Sequence, residues 1–219
     1  MPRLLLALVI LLMAFPRSYA AEVRVVPTGE VRTPSDEEGP WKMHRKLGDE
    51  FAAKGDYKNA AANYRKVLSD AGPALTTGER LRMATVLSWG GELEAAIREL
   101  ESILQAEPGN LQARLQLARS LSWAGKTGEA IAVYEDLVQR RADSMVFIQS
   151  QFALARLYES QNKLDKALAL YDSVAQEDGT GTFGSEAGFR SVELRAKNPA
   201  LAKPAAALTD MPATNPKQP

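Results

Sequence analysis

From Trp41 onward, apolar residues recur at the i, i+4 and i+7 spacing of one helix face, and the helical stretches come in pairs parted by a glycine. The clearest pair is Arg114 to Leu137, RLQLARSLSWAGKTGEAIAVYEDL, and a near copy, RLRMATVLSWGGELEAAIRELESI, begins at Arg80. Gly91 to Gly125 and Ala96 to Ala130 are both intervals of 34 residues. A helix pair that recurs at a fixed interval cannot bury its apolar faces alone, and stacking on its neighbours supplies a continuous core. The pattern therefore predicts a stacked helical solenoid, whose usual work is to hold another molecule.

Four such modules can be aligned. The first carries Leu47-Gly48, Phe51, Gly55, Ala60, Tyr64 and Val67; the second Met83-Ala84, Leu87, Gly91, Ala96, Leu100, Ile103 and Pro108. The third carries Leu117-Ala118, Leu121, Gly125, Ala130, Tyr134 and Leu137; the fourth Leu154-Ala155, Tyr158, Ala167, Tyr171 and Val174, with Asn162 in place of the glycine. Glycine or Asn ends the first helix where a left-handed residue lets the chain reverse. The small residues let antiparallel backbones approach closely, and Tyr64, Leu100, Tyr134 and Tyr171 reach toward the next module.

These positions resemble the tetratricopeptide repeat, a 34-residue unit with a large residue, Leu, Gly or Ala, an aromatic, then Ala, an aromatic and Pro. The resemblance covers about residues 41–179. It implies an all-α, right-handed α-solenoid of about four helix-turn-helix repeats, near 41–74, 77–110, 111–144 and 148–181. Two connecting turns are longer than the unit allows, at Gly72 to Thr77 and Ala142 to Val146, and only the second repeat has the closing Pro in register. GTGTFG after residue 178 reads as a break, and Ser185 to Lys197, with Ala187, Phe189, Val192 and Leu194, as a helix capping the last apolar face.

The resemblance also implies which first-helix positions line a concave groove. They are Arg45, Asp49 and Ala52 in the first repeat, and Leu81, Thr85, Ser88 and Trp89 in the second. The third contributes Leu115, Arg119, Ser122 and Trp123, and the fourth Phe152, Arg156 and Glu159. Arg119 and Arg156 are equivalent and suit a carboxylate; the two Trp faces suit a peptide side chain or a sugar ring. Equally, Trp89 and Trp123 could wedge between neighbouring first helices and serve packing alone.

The chain ends read differently. Arg3, the apolar run Leu4 to Phe15, the break at Pro16 and Ser18-Tyr19-Ala20 form a secretory signal, with cleavage expected after Ala20 and an uncleaved anchor as the alternative. Residues 21–40 read as a disordered linker carrying Asp36-Glu37-Glu38, and residues 198–219 as a disordered Pro- and Ala-rich tail.

Composition narrows the chemistry. The 27 basic and 27 acidic residues cancel, which argues against a nucleic-acid partner. With no cysteine, the single histidine His44 and no glycine-rich phosphate loop, the Ser-His-Asp, Cys-His, zinc and nucleotide motifs all lack required parts. Asp49 and Glu50 point about 100° apart on a helix and read as solvated charges. No cofactor, metal or catalytic residue is expected, and His44 reads as a packing or surface residue.

The expected function is that of a non-enzymatic scaffold in the bacterial envelope, periplasmic or otherwise exported, binding a protein or peptide in the groove and aiding assembly or export of envelope components. The Ser-Trp-x-Gly wording is similar to repeats of exopolysaccharide-export proteins, so polysaccharide machinery is a possible partner. The alternatives are an adaptor tethered through an uncleaved anchor and a glycan-binding module.

Overall fold

A computed structural model of the chain describes residues 39–141 and 144–202. The expected signal, most of the linker, the tail beyond residue 202 and residues 142 and 143 of a connecting turn lie outside the described residues. The chain divides into two units, residues 1–40 and 41–219, and the helices below belong to the second.

Nine α-helices follow one another among the described residues: α1 (Trp41–Ala53), α2 (Tyr57–Ala71), α3 (Thr77–Trp89), α4 (Leu93–Ala106), α5 (Leu111–Trp123), α6 (Thr127–Arg140), α7 (Ser144–Ser160), α8 (Leu164–Asp178) and α9 (Thr182–Lys197). Short 3₁₀ turns occupy Gly72–Ala74 and Pro199–Ala202. Each helix packs chiefly on the one before and the one after, with lighter contact between the first helices α3 and α5, α5 and α7, and α7 and α9. This is an all-helical α-solenoid.

Local chemistry sets the helix boundaries. Thr76 opens α3 with a full capping box: its hydroxyl accepts from Glu79 N, and the Glu79 carboxylate accepts from Thr76 N. Asp56 caps α2 and Asn110 caps α5 by the side-chain bond alone, each satisfying an orphan donor of the first turn. Gly55, Gly91, Gly125 and Asn162 take φ of 74°, 86°, 73° and 57° and turn each first helix into its partner, as the aligned sequence requires.

The aligned small residues Ala60, Ala84, Ala96, Ala118, Ala130, Ala155 and Ala167 are wholly buried, and Tyr64, Leu100, Tyr134 and Tyr171 fill the space between modules. One apolar cluster runs from Ala84 and Ile97 through to Ala187 and Leu194. A second surrounds Tyr64 and reaches Met83 and Val86 of α3, and a third joins Ala61, Leu87 and Ala96. The junction between the first two repeats is thus divided among clusters, and charges supplement it.

There, Arg45 pairs with Glu79, and Asp49 accepts from the Tyr64 hydroxyl at 2.6 Å and from Arg82 at 2.9 Å. Burial alone would raise the Asp49 pKa; the bonds from Tyr64 and Arg82 outweigh it and hold the carboxyl below its ordinary range. Thr76 and Arg45 bring Glu79 down to about 2. A carboxyl depressed in the folded state adds stability above its unfolded pKa and loses it as pH falls through the folded value. The melting temperature should therefore drop as pH is lowered from ~4.5 toward ~2, and Glu79→Gln should flatten that drop. An unchanged pH profile for the variant would refute the assignment.

Two sequence expectations shift at the C-terminal end. The fourth repeat's first helix begins at Ser144, upstream of residue 148, and α9 begins at Thr182, so the break shrinks to Gly179–Gly181. Asp178 makes this possible by accepting from the Gly184 amide at 2.7 Å. Ala187 and Leu194 face inward as the capping role requires, whereas Phe189 and Val192 are each 68% exposed on the outward side. The apolar residues of α9 therefore occupy two faces rather than one.

Candidate functional site

The first helices α3, α5 and α7, with the start of α9, build the face on which the candidate residues fall. One depression on it, of about 430 Å³, is lined by Arg119, Ser122, Trp123, Tyr134, Gln149, Phe152, Ala153, Arg156, Leu157, Ser160 and Phe183. A second, of about 410 Å³, lies beside it between Trp89 and Trp123, with Ser88 and Tyr57 completing its walls. Trp123 lines both, so the two are neighbours on one strip of surface.

The floor of the first depression is aromatic. Phe152 is buried and meets the rings of Tyr171 and Phe183 edge-on, at centroid distances of 5.8 and 5.5 Å. Above it stand the cations. Arg119 donates to Gln149 Oε1 at 2.7 Å, which fixes its guanidinium across the α5–α7 junction. Arg156 is exposed and, among the described residues, makes no hydrogen bond or ion pair. Burial raises the Tyr134 pKa, with Arg119 and the Ser122 hydroxyl pulling the other way, so this phenol remains a neutral donor at physiological pH.

Trp89 and Trp123 are each 51% exposed. Neither is wedged out of solvent between first helices. Trp89 leans on Tyr57 of α2, with centroids 5.1 Å apart and planes tilted by 58°, so the aromatic strip runs Tyr57, Trp89, Trp123.

Other expected groove residues are engaged within the chain. Arg45 and Asp49 form the first-junction ion pairs described above, and Asp49 is therefore not merely a solvated charge. Leu115 is buried, and Leu81 and Ala52 are half-buried against the core. Ser88 is buried and bonds Ser120 across the junction at 2.7 Å and Ala84 O at 3.1 Å; Thr85 donates to Leu81 O at 2.8 Å. Glu159 accepts from the Tyr171 hydroxyl at 2.7 Å. His44 sits 3.0 Å from Asn63 Oδ1, a contact that ties α1 to α2. The structure thus brings Arg119, Ser122, Trp123, Phe152 and Arg156 together around one depression, places Trp89 beside it, and leaves Arg45 and Asp49 at a separate junction.

Tyr57, Gln149 and Phe183 belong to the site without having been expected there. Gln149 lies on the first helix of the fourth repeat, seven residues or about two helical turns before Arg156, and that helical spacing could have revealed it. Among the described residues, no group of acidic or histidine side chains is arranged to hold a metal, and no helix is long and apolar enough to cross a membrane.

A stack of paired helices presenting an aromatic and cationic strip along its first helices defines a helical-repeat scaffold. Residues 90–147 match one model of the Tetratricopeptide repeat family and residues 149–179 a second, so these two stretches of the chain are tetratricopeptide repeats. Among solved structures it is similar to a tetratricopeptide repeat protein from Parabacteroides merdae, at 16% identity and TM-score 0.55 over 72% of this chain and 60% of that one. It is also similar to the TPR-like repeats of a Podosopora anserina protein, at 18% identity and TM-score 0.57 over 74% and 89%. MamA from Desulfovibrio magneticus aligns at 16% identity and TM-score 0.54 over 76% and 97%. The chain spans 60% of the length of the Parabacteroides protein. No curated protein matches this sequence. At these identities the likeness is one of fold. Tetratricopeptide arrays in general are non-enzymatic scaffolds that bind proteins and peptides.

Proposed function

We propose that this chain is an exported, periplasmic scaffold that holds a peptide segment of another protein against the first helices of its second to fourth repeats and so aids assembly or export of envelope components. The observation that carries the binding half is Arg156: an exposed guanidinium without an internal partner, beside an apolar floor and a half-exposed Trp123. Stability alone gives no reason to hold these groups out toward solvent. An acidic side chain would meet the cation while an adjacent apolar one covered Phe152 and Phe183.

The export half rests on the sequence of residues 1–20. Intact mass of the protein recovered from a periplasmic fraction tests it, with loss of residues 1–20 expected; retention of that segment would replace the reading with a membrane-tethered adaptor.

A photoreactive amino acid placed at Trp123 tests the groove. It should cross-link another polypeptide in an envelope extract, and the same group at Arg98, exposed on the second helix α4, should not. Equal labelling from both positions, or adducts with polysaccharide instead of protein, would overturn the peptide reading.

A further inference from the structure

We infer that the slot between Trp89 and Trp123 seats prolines of an extended partner segment, and that acidic residues flanking those prolines on the fourth-repeat side reach Arg156. This rests on the reading of this face as a peptide-binding one, and names the peptide's chemistry.

Three features of the slot point to proline. Its walls are the half-exposed rings of Trp89 and Trp123, with Tyr57 braced behind Trp89. The two Trp are equivalent residues on neighbouring first helices. One turn of a polyproline II helix advances about 9 Å, a regular period that suits a ligand meeting a side chain repeated on successive first helices. Second, neither indole N–H has a hydrogen-bond partner among the described residues. A polyproline II backbone makes no internal hydrogen bonds and leaves its carbonyls outward, ready to accept from those donors.

Third, the slot offers little else that is polar. Its wall carries two hydroxyls, that of Ser88, already bonded to Ala84 O and Ser120, and the phenol of Tyr57. A sugar would bring a ring of hydroxyls to a wall with one free hydroxyl and two indole N–H donors, fewer partners than it needs, whereas a proline ring has no donor to lose.

Charge fixes the flanking sequence. Beyond Trp123 the strip opens onto Arg119, held by Gln149, and the unpartnered Arg156. The Glu159 carboxylate nearby accepts from the neutral Tyr171 hydroxyl and keeps its charge, so two guanidiniums face one carboxylate. An aspartate or glutamate following the prolines would complement that surplus positive charge.

The test is a titration of the full-length protein, followed by calorimetry and indole emission, with a synthetic peptide of six prolines and two aspartates. Parallel titrations use a glycine-serine peptide ending in the same two aspartates and a linear oligosaccharide of six glucose units. The proline peptide should bind at least about tenfold more tightly than the glycine-serine peptide, and Trp123→Ala should weaken it by about tenfold or more, as for a central aromatic contact. Trp123→Phe should restore most of the affinity, and Arg156→Gln should weaken binding and reduce its salt dependence.

Equal binding of both peptides, or a Trp123→Ala variant that binds normally, would overturn the proline assignment while leaving a peptide groove standing. Binding of neither peptide would overturn it too, and a cross-link from position 123 to a protein without proline runs would show that only this inference had failed. Oligosaccharide binding lost with Trp123 would overturn both readings.

Discussion

Tyr171→Ala is expected to lower the unfolding free energy by about 3–5 kcal/mol, the range for deleting a large buried aromatic. Tyr171 is wholly buried, its ring meets Phe152 edge-on at 5.8 Å, and its hydroxyl donates to Glu159 Oε2 at 2.7 Å. Burial first and the Glu159 bond second raise its pKa, so the phenol stays protonated and donating at neutral pH. Truncation leaves a cavity that backbone pinned in neighbouring helices cannot close, and it removes a wall of the Phe152 cluster. Tyr171→Phe separates the two contributions: it keeps the ring and should cost only about 1 kcal/mol, the net worth of one hydrogen bond. Urea unfolding of the two variants checks both values, and a similar loss in each would contradict the packing assignment.

The second large effect is expected from Gly90→Val. Gly90 is not a left-handed residue; its φ is −80°. What excludes a side chain is space, because a Cβ there would strike the Tyr57 carbonyl and come 2.5 Å from the Ala61 Cβ. The carbonyl belongs to helix backbone and cannot rotate away. We expect a loss of about 1–3 kcal/mol from overpacking, with Gly90→Ala milder, since alanine recovers up to ~1 kcal/mol of helix propensity. A functional loss should accompany it. Pushing α3 from α2 parts Trp89 from Tyr57, so the valine variant should lose binding in the aromatic slot even where it remains folded. Thirty-four residues on, Ala124 stands at the equivalent place and already carries the methyl, so Ala124→Gly should be nearly neutral for packing. Thermal melts of the three variants would reveal the expected order.

The fold was legible because two periods coincide in the sequence, the helical spacing of apolar residues and the recurrence of Gly91 at Gly125. Asn162 was readable as a turn residue because its left-handed tolerance does the same work as glycine. The site was less legible for a physical reason. A first-helix register assigns residues to a face but does not say whether the next repeat neutralises them. Arg45 faces Glu79 exactly one unit of 34 residues later, and Asp49 faces Arg82, so both are spent between repeats. Arg156 was placed on the same face by the same register, yet among the described residues it forms no ion pair. Phe152 and Leu115 were assigned outward where the chain buries them, since stacking covers the helix flank as well as its inner stripe. Tyr57 and Phe183 escaped notice because one lies on a second helix and the other in what read as a break.

Two Trp residues half out of solvent are the point on which the account turns, and equilibrium urea unfolding of the W89A/W123A double variant tests it most directly. Side chains left half exposed for a partner predict a combined loss of no more than about 3 kcal/mol, half or less of what two buried aromatics would give. A combined loss of about 6 kcal/mol or more would show instead that both indoles hold the repeats together, and would contradict a binding role for the strip they form.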